Sequence, residues 1–374
     1  MLTESGCRER RRLLWERLPD CDLIIISEPR NLFYLSGFLM NPTELSGWGL
    51  NFLLLSRTGE CRLLHDNKAR SEAQAAFVDA REAWSWYDFG NSAPEKLGAA
   101  AGALAALLAA RYNAARQVAV EAGHFPAGAG AGLAAAPVAD AGAPLAAMRA
   151  VKFADELACI RRAIRATEAG HLCARTALQA GRSELEVYAE VQAAITLAAG
   201  EPIVLLGDFA AGQRTESGGG PPTANVLRTG DLMIFDIFPV IGGYRADITN
   251  TLCVGAPTHS QQQHMLALQA AMRAAEGELR PGATGAQVYA ACRASLVAAG
   301  LGAAFFHHAG HGLGLGHPEA PFLVEHSTDT LQAGNVVTLE PGAYIKGWGG
   351  ARIEHNYLIT AGGFERLSQH QIGF

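Results

Sequence analysis

The sequence has no cysteine pattern able to carry a disulfide scaffold or a thiolate metal site. Its seven cysteines are odd in number, scattered from Cys7 to Cys292, and never spaced as C-x-x-C. That usage reads as reduced thiols in a cytoplasmic protein. A basic block is also missing. With a net charge of −6, neither nucleic acid nor a membrane surface is an expected partner. The one basic cluster, Arg8 to Arg12, is interrupted by Glu9 and reads as the solvated face of a first helix. Long hydrophobic runs are absent too. The Ala-rich stretch Gly98 to Ala110 is too short to span a bilayer and stops at Arg111. The charged N-terminus carries no apolar signal-peptide core. What is left is a 374-residue chain, long enough for two domains and a sizeable core.

The first part of the chain alternates short strands and helices. A helix is expected over Glu4 to Leu18, strands at Leu23 to Ile26, Leu50 to Ser56, Cys61 to His65 and Val118 to Glu121, and helices over Lys68 to Ala76 and Lys96 to Arg111. Arg30 to Phe38 mixes aromatics with turn residues. This suits a small α/β domain. Gly123 to Pro144 is rich in Ala, Gly and Pro, either a linker or ordinary helix and loop under biased composition. From about Ala146 the character changes. Helical patterns over Asp155 to Ala180 and Ser183 to Ala199, the second opened by a Ser183/Glu186 capping box, recur as His259 to Leu279 and Thr284 to Ala299. Each pair precedes a strand and a hairpin. The spacing is too long for a solenoid; it points to a duplicated half-domain whose hairpins meet across a pseudo-two-fold axis.

The first hairpin is Thr229 to Thr251. With Ile241-Gly242 as its loop, Asp236 stands directly opposite Asp247, their Cβ atoms about 5 Å apart. Two carboxylates that close among Phe, Ile and Met repel each other, so either one stays protonated or a cation lies between them. An acidic surface hairpin is the plainer alternative, at odds with the apolar flanks. The second hairpin repeats the pattern: with its turn centred on Gly347, Glu340 faces Glu354. The charge of four carboxylates is what two divalent cations neutralise. His311, set among glycines in Gly310-His-Gly-Leu-Gly314 with His307, His308 and His317 nearby, adds an imidazole. An oxygen-rich site with one imidazole favours Mn, Co, Fe or Zn.

These motifs, together with Arg30 to Phe38 and Met148 to Lys152, resemble the creatinase/aminopeptidase P/prolidase branch of the pita-bread metallopeptidases. The resemblance covers nearly the whole chain. It implies an α+β protein: a smaller creatinase-like α/β domain over 1–147, then a pita-bread catalytic domain with duplicated half-domains over 148–374. It implies a dinuclear metallohydrolase that cleaves Xaa-Pro dipeptides or other small peptides by attack of a hydroxide held between the metals. Asp236 would chelate one ion, Asp247 and Glu354 would bridge both, and His311 and Glu340 would complete the other. Glu340 would double as proton shuttle. His307, His317 and Arg352 would face the substrate; Arg352 could equally be a partner that fixes Glu354 or Asp247, and His307 and His308 could simply pack near the site. Manganese is the first expected metal, with cobalt, zinc or iron as alternatives, and a homodimer is implied.

Two departures from the family pattern stand out. A histidine that family peptidases carry upstream of the first aspartate is missing from Glu216-Ser-Gly-Gly-Gly-Pro-Pro222, a segment that is either a backbone-lined pocket wall or a tight loop. Pro318 takes the place of the family's later histidine, and His317 comes one residue early. They keep open a non-peptide enzyme on the same scaffold, acting on creatine-like or ectoine-like amides or, as a lyase, on a sulfonium compound. A binding module without catalysis is the third reading, disfavoured because all five expected ligands are present.

Overall fold

The computed structural model describes residues 1–40, 50–133 and 137–374. The chain divides into two compact units, Met1–Met148 and Arg149–Phe374. Among the described residues all seven cysteines are free thiols, and no helix is long and apolar enough to cross a membrane.

The first unit is a mixed six-stranded sheet with helices. In chain order it holds α1 (Glu4–Arg17), β1 (Leu23–Ile26), α2 (Pro29–Ser36), β2 (Phe52–Ser56), β3 (Cys61–Asp66), α3 (Arg70–Ala75), β4 (Ala80–Trp84), α4 (Lys96–Arg111), β5 (Val118–Val120) and β6 (Val138–Asp140). The strand order is β4-β3-β2-β1-β5-β6. Alternate residues of the strands, such as Leu23, Ile25, Phe52 and Leu54, meet the α4 side chains Leu104, Leu107 and Leu108 in one core, as a two-residue strand period requires.

Three expectations change here. Arg30 to Phe38 is mostly helix α2, whose Glu28 side chain caps Asn31 N–H, whose Pro29 opens the first turn, and whose Gly37 (φ +72°) ends it. Strand β4 was not expected at all. The Arg8 to Arg12 cluster is only partly solvated. Arg10 and Arg11 are buried and donate to the Tyr34 and Leu35 carbonyls, at the end of α2 where the helix leaves acceptors without partners. The Gly123 to Pro144 stretch holds a 3₁₀ segment, β6 and the start of α5 (Gly142–Ala150); residues 134–136 of it lie outside the described residues.

The second unit continues with α6 (Ala154–Ala177), α7 (Glu184–Ala199), β7 (Gly207–Ala211), β8 (Leu232–Ile237), β9 (Val240–Ile241), β10 (Tyr244–Arg245) and β11 (Ile248–Cys253). The pattern then repeats: α8 (His259–Glu276), α9 (Gly285–Ala298), β12 (Gly310–Gly312), β13 (Glu319–Leu323), β14 (Val336–Leu339), β15 (Gly342–Ile345), β16 (Gly349–Arg352), β17 (His355–Thr360) and β18 (Gly363–Arg366). The sheets run β11-β8-β7 and β13-β12-β14-β17-β18, with β9-β10 and β15-β16 as hairpin tips. Capping boxes open α7, α8 and α9 at Ser183, Thr258 and Thr284. Leu268, Met272 and Leu296 pack against Val337, Leu339 and Tyr357 to form the core under the second half.

The second hairpin has the expected register, with Gly342 opposite Arg352 and Leu339 opposite His355. The first does not. Its turn is Gly242-Gly243, with Tyr244 paired to Ile241, so Asp236 faces Thr249 and not Asp247. Both turn residues have positive φ, +56° and +83°, which a two-residue hairpin turn demands and Ile241 could not supply cheaply. Asp247 falls instead in the break between β10 and β11, just as Glu354 falls between β16 and β17.

Behind these strands three imidazoles cluster. His370 lies 4.7 Å from His171 and 4.6 Å from His355 between ring centroids. Burial pushes His370 down to about 4, burial and His370 push His355 down to about 2, and the same two causes hold His171 well below the usual range. Each is therefore neutral when folded and takes a proton on unfolding below about pH 6.5. Their stabilising effect is full above that pH and is lost as pH falls toward 4. Wild type is expected to lose more unfolding free energy between pH 7.5 and 5 than His370→Gln does, measured by denaturant titration; equal losses would contradict this.

Candidate metal centre

The two hairpins meet along a polar seam. Glu354 N–H donates to the Thr249 carbonyl at 2.9 Å, and Thr249 Oγ1 donates to Glu354 Oε2 at 2.7 Å. Arg352 N–H donates to Thr251 Oγ1 at 2.9 Å, and that hydroxyl donates back to the Arg352 carbonyl at 2.8 Å. Asn356 Nδ2 donates to the Asp247 carbonyl, and Asp247 N–H to Asn356 Oδ1. This stitching lays the strand breaks carrying Asp247 and Glu354 beside each other, with a carboxylate oxygen of each within 4.8 Å of the other.

The result is a cavity of about 490 Å³ lined by Asp236, Asp247, His311, Glu340, His307, His308, His317 and Arg352, with Asp208 and the Ser217–Gly220 strap on one wall. Four overlapping groups have ligand atoms close enough to share a cation: Asp236-Asp247-Glu354, His311-Glu340-Glu354, Asp247-His311-His317 and His307-His308-Glu340. Asp236, Asp247, Glu340 and Glu354 are all buried. Among the described residues, Asp236 Oδ1 and Glu354 Oε1 are buried with no hydrogen-bond partner. Buried acceptors are normally paired; two orphaned carboxylate oxygens in one acidic cluster are what a cation would satisfy, so the donor set fits divalent metals.

The electrostatics divide the acids. Burial and the neighbouring carboxylates push Glu354 well above the usual range. Burial does the same to Asp236, helped by Asp247, Asp208 and Glu340 and opposed by the Arg352 guanidinium. Burial also acts on Asp247 and Glu340, but His317 and His311 outweigh it at Asp247, and His308, His311 and His307 hold Glu340 down at about 2. Burial alone would depress His311; Asp247 and Glu340 raise it to about 9.

The other expected residues also reach the cavity. His317 Nε2 lies 2.7 Å from Asp247 Oδ2, its ring stacked on Phe238. Its early position is accommodated by the loop before it. Glu319 Oε2 accepts from Gly316 N–H at 3.1 Å, and Glu319 is itself tied to the fully buried Lys152 ammonium at 2.8 Å. His307 Nε2 lies 3.0 Å from the Tyr344 hydroxyl, and burial pushes it down to about 4. Arg352 bonds Asp236, not Glu354 or Asp247 as one expectation had it; it also reaches Asp208, the Gly218 carbonyl and Tyr344. Glu216–Pro222 is a cavity wall at Ser217 to Gly220. His308, expected only to be near the site, has its Nε2 3.0 Å from Glu340 Oε1; sequence reasoning missed Tyr344 and Asp208. The only signal for Asp208 was a lone acid in the apolar run Leu205 to Ala211.

Comparison with known proteins identifies the family. Residues 158–361 match metallopeptidase family M24, and residues 16–151 match the creatinase/prolidase N-terminal domain. Over 223 residues the chain is 31% identical to the Xaa-Pro dipeptidase of Pyrococcus furiosus, covering 59% of this chain and 64% of that one. Over 219 residues it is 36% identical to the probable dipeptidase PepE of Mycobacterium tuberculosis, covering 58% of each. The alignment thus spans under two thirds of the length of these relatives. The structure superposes on the prolidase from Pyrococcus horikoshii OT3 with TM-score 0.81 and 23% identity, covering 97% of this chain and 99% of that one, a likeness of fold. With the M24 match extending over more than half of its length, the chain belongs to metallopeptidase family M24.

Proposed function

We propose that the chain is a dinuclear metal-dependent dipeptidase for Xaa-Pro or similarly small peptides. The observation that carries this reading is the convergence from both half-domains of Asp236, Asp247, Glu340 and His311 on one cavity, with the buried Glu354 within ligand-sharing distance of all four. Asp236 would hold one ion, Asp247 and Glu354 both, and His311 and Glu340 the other, with manganese first and cobalt, zinc or iron as alternatives. When bound, the cations polarise the scissile carbonyl and lower the pKa of water.

The chain's own residues do the rest. Glu340, buried and ionised, accepts the proton of the attacking water at a carboxylate oxygen and returns it to the departing nitrogen. His308, 3.0 Å from Glu340 Oε1 and half-buried at the cavity wall, connects that carboxylate to the solvent side. Arg352 fixes Asp236, and Phe238 fixes the plane of His317 at the mouth. A cavity of about 490 Å³ has room for a dipeptide. The names of the relatives support the choice of Xaa-Pro substrates, as do the family's N-terminal and catalytic matches together.

Three outcomes follow. Stripping metal and adding back Mn²⁺ or Co²⁺ is expected to raise the melting temperature, by the equivalent of ~2.7 kcal/mol at about a hundredfold excess over Kd; no shift would contradict the cation site. Glu340→Gln is expected to lower kcat by about a hundredfold or more, with metal content checked in parallel. In a panel run with Mn, Co and Zn, Xaa-Pro dipeptides are expected to be cleaved. Activity confined to creatine, ectoine or sulfonium compounds would end the peptidase reading.

A further inference from the structure

The cavity contains one carboxylate that the cation site does not use. Asp208 stands on β7, directly across the ladder from Asp236. Like charges in that position repel, and Arg352 lies between them: its Nη2 is 2.8 Å from Asp208 Oδ2 and also bonds Asp236 Oδ2. Nη1 of the same guanidinium goes to the Gly218 carbonyl and the Tyr344 hydroxyl.

Asp208 differs from the cation-site acids. Its side chain keeps 29% exposure, against 11% for Asp236 and 4% for Asp247. It is absent from every group of described residues close enough to share an ion. Its one side-chain hydrogen bond among the described residues engages Oδ2, leaving Oδ1 without a protein donor.

The facing strap lies against this carboxylate on its Oδ2 side and brings no side chain to it. Gly218, Gly219 and Gly220 have φ of +98°, +146° and +139°, a run that only glycine adopts readily. The strap is tied down by Gly218 N–H to the Thr215 carbonyl and by Phe209 N–H to the Gly220 carbonyl. A Cβ at Gly219 would overlap the Asp208 carboxylate, so no side chain can stand there.

Charge decides what this oxygen takes. Two divalent cations would balance Asp236, Asp247, Glu340 and Glu354, and Arg352 balances Asp208. An acidic group beside Oδ1 would be repelled. A cationic nitrogen would fill the unused acceptor with a charge-assisted hydrogen bond, roughly twice as strong as a neutral one. We propose that Asp208 is a specificity-determining residue that accepts a hydrogen bond from a cationic nitrogen of the substrate, either its terminal ammonium or a basic first side chain. The assignment rests on the dipeptidase reading and deepens it.

The test uses the metal-loaded enzyme with Asp208→Asn, and Asp208→Ser as a second variant, on Ala-Pro, N-acetyl-Ala-Pro and Lys-Pro. Wild type is expected to prefer Ala-Pro over its acetylated form in kcat/KM. Asp208→Asn is expected to erode that preference by about tenfold, through KM, with metal content unchanged. Loss of a Lys-Pro over Ala-Pro preference instead identifies the basic side chain as the partner and also supports the assignment. A uniform fall on all three substrates carried by kcat, or no change, overturns it, because Asp208 would then only position Arg352 or do nothing. Wild type that cleaves none of the three would overturn the dipeptidase reading and this assignment with it.

Discussion

The site depends on a seam of buried hydrogen bonds between two hairpins. Strand β11 carries Thr249, Asn250 and Thr251 in succession, all nearly inaccessible, where an apolar strand would be the ordinary expectation. Each is tied to another segment. Thr249 holds Glu354, Asn250 exchanges hydrogen bonds with the Gly373 backbone, and Thr251 exchanges them with Arg352. Leaving any of these groups unpaired would cost about 1–3 kcal/mol, so the docking is specific in register as well as in position. Because the register is set, Asp247 and Glu354 are delivered to the same place from opposite halves.

That delivery creates an electrostatic problem. Four buried carboxylates within reach of one another are costly to desolvate and repel each other. Arg352 relieves Asp236, and His311, His317 and His308 relieve Asp247 and Glu340. Among the described residues Glu354 has only the Thr249 side chain, and one of its oxygens has no partner. The cluster makes physical sense as a receptor for positive charge, and membership of family M24 gives that charge its chemical identity as metal. The surrounding pita-bread fold serves to hold two hairpin breaks face to face.

Much of this was legible in the sequence because periodicity and turn chemistry are local. Helix α4 and strand β1 lie at the expected residues, and the duplicated helix pairs were visible through their recurring helical patterns. The second hairpin could be registered from Gly347 alone. The first could not, because Ile241, Gly242 and Gly243 allow two loops, and only the positive φ of both glycines decides between them. Helix α2 carried a Glu-Pro start and a Gly stop that were overshadowed by its aromatics. Arg10 and Arg11 looked solvated because their partners are carbonyls, which a sequence does not mark. Asp208 was passed over for a related reason: its neighbours Asp236, Gly219 and Arg352 come from separate segments.

The central claim is that this acidic cluster takes up two divalent cations, with Glu354 reaching both. The direct measurement is metal stoichiometry per chain, by equilibrium dialysis against Mn²⁺ followed by elemental analysis, on wild type and Glu354→Gln. Two ions in wild type and fewer than two in the variant are expected. Wild type that retains none, or a variant that still binds two with unchanged affinity, would contradict the account.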